Sequence, residues 1–160
     1  MIKNNEKIIL ICGMAHSGTT ILAHLLRQNK CVFNYSSGVA GWVYETEIIL
    51  NKNKKTLENL LILNSDKKVL LKSPWVEFKR TKWMIENIPN AYYICCLKNF
   101  EDIKKSWQRK DSQVDQILMN ESEEYLKKTY DLSLEKSNFL ASNVKNFVFL
   151  YHNEIGRAHV

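Results

Sequence analysis

The segment KIILIC-GMAHSGTT-ILAHLL, over 7–26, constrains the fold more than any other stretch of the chain. A short apolar run rich in β-branched residues stops at Gly13 and reads as a buried strand over 7–12. Residues 18–28 place Ile21, Leu22, Leu25 and Leu26 on one face of a helix. Between them, Gly13 and Gly18 stand at the spacing of the phosphate-cradling loop G-x-x-x-x-G-K-[ST], and Thr20 supplies its final hydroxyl. The lysine of that loop is absent, with Thr19 in its place. A strand, a glycine loop and a helix together aim backbone N–H groups and a helix N-terminus at an anion. Ser17, Thr19 and Thr20 add hydroxyl donors.

The remaining pattern alternates in the same way. Residues 29–41 carry Asn, Ser and Gly and read as loop, and helices are expected over 43–50 and 54–63. KVLLK over 68–72 is a strand ended by Ser73 and Pro74, and 75–87 a helix stopped before Pro89. AYYICCL over 91–97 is a strand, 100–110 a helix with Asp102 in its first turn, and 113–142 one long helix or two. FVFLY over 147–151 is the last strand. Strands alternating with helices predict an α/β fold, a three-layer sandwich with a parallel central sheet flanked by helices. No internal repeat, low-complexity segment or linker interrupts it, so a single domain over 1–153 is expected.

Composition narrows the function classes. Apolar residues make up 45% and charged residues 25% of 160, which suits a folded domain rather than a disordered one. The longest apolar run, AYYICCL, is seven residues, far short of the roughly 20 that span a bilayer. With no signal pattern in MIKNNEK, a cytoplasmic protein without a membrane span is expected. The net charge of +6 suits an anionic ligand. Without an arginine-rich tract or interleaved aromatics, nucleic acid is not the expected partner. Cys12, Cys31, Cys95 and Cys96 form no C-x-x-C pair and read as buried reduced thiols, not metal ligands or disulfides.

In nucleotide hydrolases and kinases the loop lysine reaches the outer phosphates, and Mg²⁺ is held with help from a strand-end aspartate. This chain lacks both. Its middle strand ends in Lys72 and the next in Lys98, two cations able to neutralise an anion without a metal. The loop therefore reads as a site for a single 5′-phosphate.

On these residues the chain resembles the sulfotransferases that use 3′-phosphoadenosine 5′-phosphosulfate (PAPS). Their phosphosulfate loop reads roughly P-[RK]-S-G-T-[TS]-x-L-x-x-x-L, which GMAHSGTTILAHLL follows. Their second signature, R-[ND]-P-x-[DE]-x-x-x-S after an apolar strand, is matched by LKNFEDIKKS over 97–106. Lys72, Ser73 and Pro74 repeat their K-x-P, and FLYHNE over 149–154 is similar to their strand ending in Tyr-Glu. His16 stands where the family has Arg or Lys, Lys98 where it has Arg, and Phe100 where it has Pro.

The resemblance implies a P-loop NTPase-like sulfotransferase fold with PAPS as sulfuryl donor and no metal. Gly13, His16, Ser17, Gly18, Thr19 and Thr20 would hold the 5′-phosphosulfate, and Lys98 and Ser106 the 3′-phosphate. Lys72 would stabilise the sulfuryl group and leaving phosphate; the plain alternative is a solvated strand-end lysine. Glu45, in YETEIIL, resembles the Glu-Thr-x-x-Ile stretch that supplies the base in the protein-tyrosine branch; its alternative is an exposed helix glutamate, as Glu47 is read. A protonated His16 would replace the missing loop cation, with activity falling as pH rises through its pKa. His24 reads as structural and His152 as uncommitted surface. Trp42, Trp75, Trp83 and Trp107 read as core, with adenine or acceptor contact left open. The acceptor class stays open among small molecules, carbohydrates and tyrosine, and oligomeric state is not legible.

The chain ends EIGRAHV over 154–160. That string is what the opening codons of a common DNA-sequencing adapter encode, with a stop codon due next. The tail, with its His159, is therefore set apart as adapter-derived, and the domain is expected to be an N-terminal part of a longer one. Two other classes stay open: a divergent P-loop kinase or nucleotide hydrolase, and an inactive anion-binding fragment.

Overall fold

The computed structural model describes residues 1–14, 17–35, 53–73, 78–107 and 123–152. A single 3-10 turn, Asn5–Lys7, leads into the first strand. The strands are β1 (Ile8–Gly13), β2 (Val32–Asn34), β3 (Lys68–Ser73), β4 (Tyr92–Leu97) and β5 (Asn146–Tyr151). The helices are α1 (Thr19–Leu26), α2 (Lys54–Leu63), α3 (Phe78–Asn87), α4 (Phe100–Trp107) and α5 (Glu123–Ala141). The five strands lie in the order β2-β3-β1-β4-β5, and every neighbouring pair is parallel.

Side chains alternate across a strand, so each central strand feeds two layers. Ile8, Leu10 and Cys12 of β1, Val69 and Leu71 of β3 and Tyr93 and Cys95 of β4 share one cluster with α2, α3 and α5 through Leu57, Leu61, Met84, Ile88 and Leu140. Ile11, Leu70 and Cys96 face the other way and pack on Leu22 and Ala23 of α1. Burial on both faces is why β1, β3 and β4 read as continuous apolar runs rather than as alternating ones. The layer assignment follows from handedness. The chain runs from β1 outward to β2, then back across the sheet to β3, β4 and β5. Right-handed crossovers travelling in opposite directions deliver their helices to opposite faces. Among the described residues α1 stands alone on its face, opposite α2, α3 and α5.

The predicted α/β sandwich with its parallel sheet is the fold observed. One local expectation was wrong: 29–41 is not all loop, because Val32–Asn34 pairs with β3. Three residues carry no readable period, and β2 exists because the edge of β3 offers it a hydrogen-bonding partner. Over its described residues the region expected as one helix or two contains one unbroken 19-residue helix, Glu123–Ala141. The helix expected over 43–50 lies outside the described residues, as do 75–77, 108–110 and 113–122 of the other expected helices. No helix among the described residues is long and apolar enough to cross a membrane.

Candidate functional site

The chain leaves β1 toward α1 on one face, and leaves β4 toward α4 and α5 on the other. Adjacent strands whose connections part in this way open a crevice at their carboxyl ends. Gly13 closes β1 there with φ of 126°, and Gly18 caps α1 with φ of 98°. Both lie in the region that side-chain-bearing residues rarely adopt. At Gly13 space is decisive as well: a Cβ would stand 2.5 Å from the Cys96 carbonyl oxygen and 3.0 Å from Ser17 Oγ. The loop is thus pressed onto the end of β4, with which Gly13 is in register.

The hydroxyls expected to face an anion divide. Ser17 is 1% exposed, and both its N–H and its Oγ–H donate to the Met14 carbonyl, at 3.1 and 2.5 Å. Its hydroxyl closes the loop instead of pointing outward. Thr19 is buried. Thr20 is half-buried, and its Oγ1 accepts a hydrogen bond of 2.7 Å from Lys72 Nζ. Lys72 is in register with Ile11, whose side chain packs toward α1; by strand alternation Lys72 leaves the sheet on that same face, and it is 7% exposed. A lysine from β3 therefore reaches the loop that has none of its own. The first turn of α1 contains no acidic residue, so its N–H groups and the Lys72 ammonium combine without a carboxylate between them.

Lys98 directly follows β4 and lines a cavity of about 340 Å³ with Asp102, Tyr130, Tyr151 and His152. Asn99 caps α4: its Oδ1 accepts from the Asp102 N–H at 2.9 Å and its Nδ2 donates to Asp102 Oδ2 at 2.7 Å. Tyr130 of α5 donates its hydroxyl to the Lys98 carbonyl at 3.0 Å. Ser106 is half-buried in the last turn of α4. The structure therefore sets Lys72 and Lys98 on opposite flanks of Gly13, at the ends of the two strands that pair with β1. The site thus combines one glycine-loop anion cradle with two flanking lysines. His16 and Glu45 lie outside the described residues, as do Trp42 and Trp75. Trp83 is partly buried against the core.

His152, read as uncommitted surface, lines the Lys98 cavity. Burial lowers its pKa below the ordinary histidine value, Lys98 lowers it further, and Asp102 opposes. His24 is lowered by burial first, then by Arg27 and Lys72. Cys12, Cys95 and Cys96 are buried as expected, but Cys31 is exposed, a correction to that reading. The hydrogen bond with Cys95, together with burial, holds the Cys12 thiol well above the ordinary thiol range. Burial and the neighbouring Cys95 push Cys96 up to about 12, against Lys72. Cys12 and Cys96 stay protonated behind the loop and are packing groups, whereas the hydrogen bond with Cys12 lowers the Cys95 thiol, burial opposes it and Ser137 lowers it further. Tyr130 had no signal of its own, being one polar-tipped residue among many in a long helix. A second cavity, of about 670 Å³, lies at the amino ends of β4 and β5, away from the loop, and is lined by Tyr92, Asn146 and Val148 among others.

No family model matches the chain, and no curated protein matches it. Among solved structures the chain is similar to that of a GTPase in apo form from Pyrococcus abyssi, with 16% identity, 97% of this chain and 95% of that chain covered, and a TM-score of 0.37.

Proposed function

We propose that this chain is a sulfotransferase that moves a sulfuryl group from PAPS to a hydroxyl or amine acceptor. The observation that carries the reading is the Lys72 ammonium 2.7 Å from Thr20 Oγ1, a cation brought to the phosphate loop from a neighbouring strand. PAPS supplies an activated sulfuryl group, which passes in line as the acceptor's bond to sulfur forms and the bond from sulfur to the 5′-phosphate oxygen breaks.

The chain's own residues have separable tasks. Backbone N–H groups over Gly18, Thr19 and Thr20 bind the 5′ end, and Lys72 holds positive charge where negative charge grows on the leaving phosphate. Thr20 orients that lysine. Lys98 and Ser106 bind the 3′-phosphate and so select the donor over a plain nucleotide. Glu45 takes the acceptor's proton, and His16 adds a donor on the loop. The acceptor is a small molecule, a carbohydrate or a tyrosine, met in the cytoplasm.

Calorimetric titration with adenosine 3′,5′-bisphosphate, adenosine 5′-phosphate and Mg-ATP tests the reading. The bisphosphate should bind most tightly, with its advantage lost in Lys98→Ala and Ser106→Ala. Preference for Mg-ATP would replace the reading with a divergent P-loop kinase or hydrolase.

A further inference from the structure

Lys98 sits in the two-residue link between β4 and α4. The β4–β5 ladder ends at the pair Leu97 and Tyr151. Helix α4 begins at Phe100 and is capped by Asn99, whose carbonyl accepts the Ile103 N–H at 3.1 Å. The Lys98 peptide therefore belongs to neither element. Its carbonyl is held instead from α5, by the Tyr130 hydroxyl at 3.0 Å.

The ring that carries this hydroxyl is itself fixed. Tyr130 packs on Phe100 with centroids 5.5 Å apart and planes inclined by 59°. The Lys127 ammonium lies 5.1 Å over the Tyr130 ring and 5.3 Å over the Phe100 ring. Phe100 is the residue that departs from the sulfotransferase proline, and here it is the platform for Tyr130. The same cluster includes Met14, Ile103 and Leu126. Met14 is also the residue whose carbonyl closes the phosphate loop through Ser17. One small apolar cluster thus touches the loop on one side and clamps the Lys98 backbone on the other.

We infer that Tyr130 is a positioning residue: through its hydroxyl on the Lys98 carbonyl it sets the distance between the lysine and the phosphate loop, and so selects ligands with two phosphates at the matching separation. The inference rests on the proposed role of Lys98 toward a 3′-phosphate. The held carbonyl belongs to Lys98 itself, so the bond limits rotation about its Cα–C bond and with it the orientation of the Cα from which the lysine side chain departs. Loss of the hydroxyl frees the peptide to rotate and spreads the lysine over several positions.

Tyr130→Phe removes the hydroxyl and keeps both ring contacts. Affinities for adenosine 3′,5′-bisphosphate and adenosine 5′-phosphate are measured for wild type, Tyr130→Phe, Lys98→Ala and Thr129→Val. Thr129 is the control, because its hydroxyl also bonds a carbonyl of α5, Tyr125 O at 3.0 Å, but away from Lys98. Tyr130→Phe should weaken the bisphosphate about fivefold, the scale of one net hydrogen bond, and leave the monophosphate unchanged. Thr129→Val should preserve the ratio. If wild type prefers the bisphosphate and Tyr130→Phe keeps that preference, the inference fails while the proposed function stands. An equal loss in Thr129→Val would mark general loosening of α5 and overturn it too. If wild type has no preference for the bisphosphate, the proposed function falls and the inference falls with it.

Discussion

Lys72 of β3 donates to Thr20 of α1 across 52 positions of sequence, at 2.7 Å. The bond joins a buried cation to the final hydroxyl of the glycine loop. It restores to the loop the positive charge that its own sequence omits.

Lys72→Met should weaken binding of adenosine 3′,5′-bisphosphate by about 10- to 100-fold, the range for a charge-assisted hydrogen bond. Lys72→Arg should not recover it, because a planar guanidinium does not fit a slot shaped for a compact ammonium. Calorimetric titration of both variants checks this. Wild-type affinity in Lys72→Met would remove Lys72 from the site.

Gly13→Ala should destabilise the fold by about 3 kcal/mol. Its φ of 126° disfavours a side chain, and the new Cβ would meet the Cys96 carbonyl at 2.5 Å. In a domain of this size the melting temperature should fall by about 10 °C. Unchanged melting would mean that β1 and β4 can part at this point without cost.

Acid should loosen the fold through two histidines. Both His24 and His152 have pKa values lowered from 6.5 by burial and nearby cations. The folded state therefore favours the neutral rings. Their contribution is complete above the unfolded-state pKa and is lost as pH falls from about 6.5 toward the lower folded values. Melting temperature should drop over that interval, and the slope should flatten in His24→Gln/His152→Gln. An unchanged slope in the double variant would place the acid sensitivity elsewhere.

Asn5 is buried, and its side chain ties the start of the chain to the turn before β4. Its Nδ2 donates to the Ile2 carbonyl at 2.6 Å, and its Oδ1 accepts from the Asn90 N–H at 2.7 Å. Asn5→Ala leaves both partners unsatisfied and should cost about 2 kcal/mol. Chemical denaturation reads the loss directly, and a midpoint equal to wild type would show that water replaces both bonds.

What the sequence determined alone was local. The apolar runs over 7–12, 68–72, 91–97 and 147–151 are long enough to show their period, and all became strands within a residue or two at each end. The helix expected over 54–63 appears as Lys54–Leu63, capped by Asn53 on the Thr56 N–H. Gly13 and Gly18 marked the loop because their spacing is itself a chain property. The tertiary structure decided everything that depends on two distant segments meeting. β2 became a strand because β3 had a free edge, not because three residues carry a pattern. Ser17 turned inward to Met14 although its position suggested a ligand donor. Lys72 and Lys98 became flanking cations because β3 and β4 pair on either side of β1, a strand order that no residue at the site announces. Tyr130 meets the Lys98 carbonyl because the fold sets α5 beside the end of β4. Period and propensity act over a few residues and can be read along a chain; a site assembled from strand ends depends on which strands become neighbours.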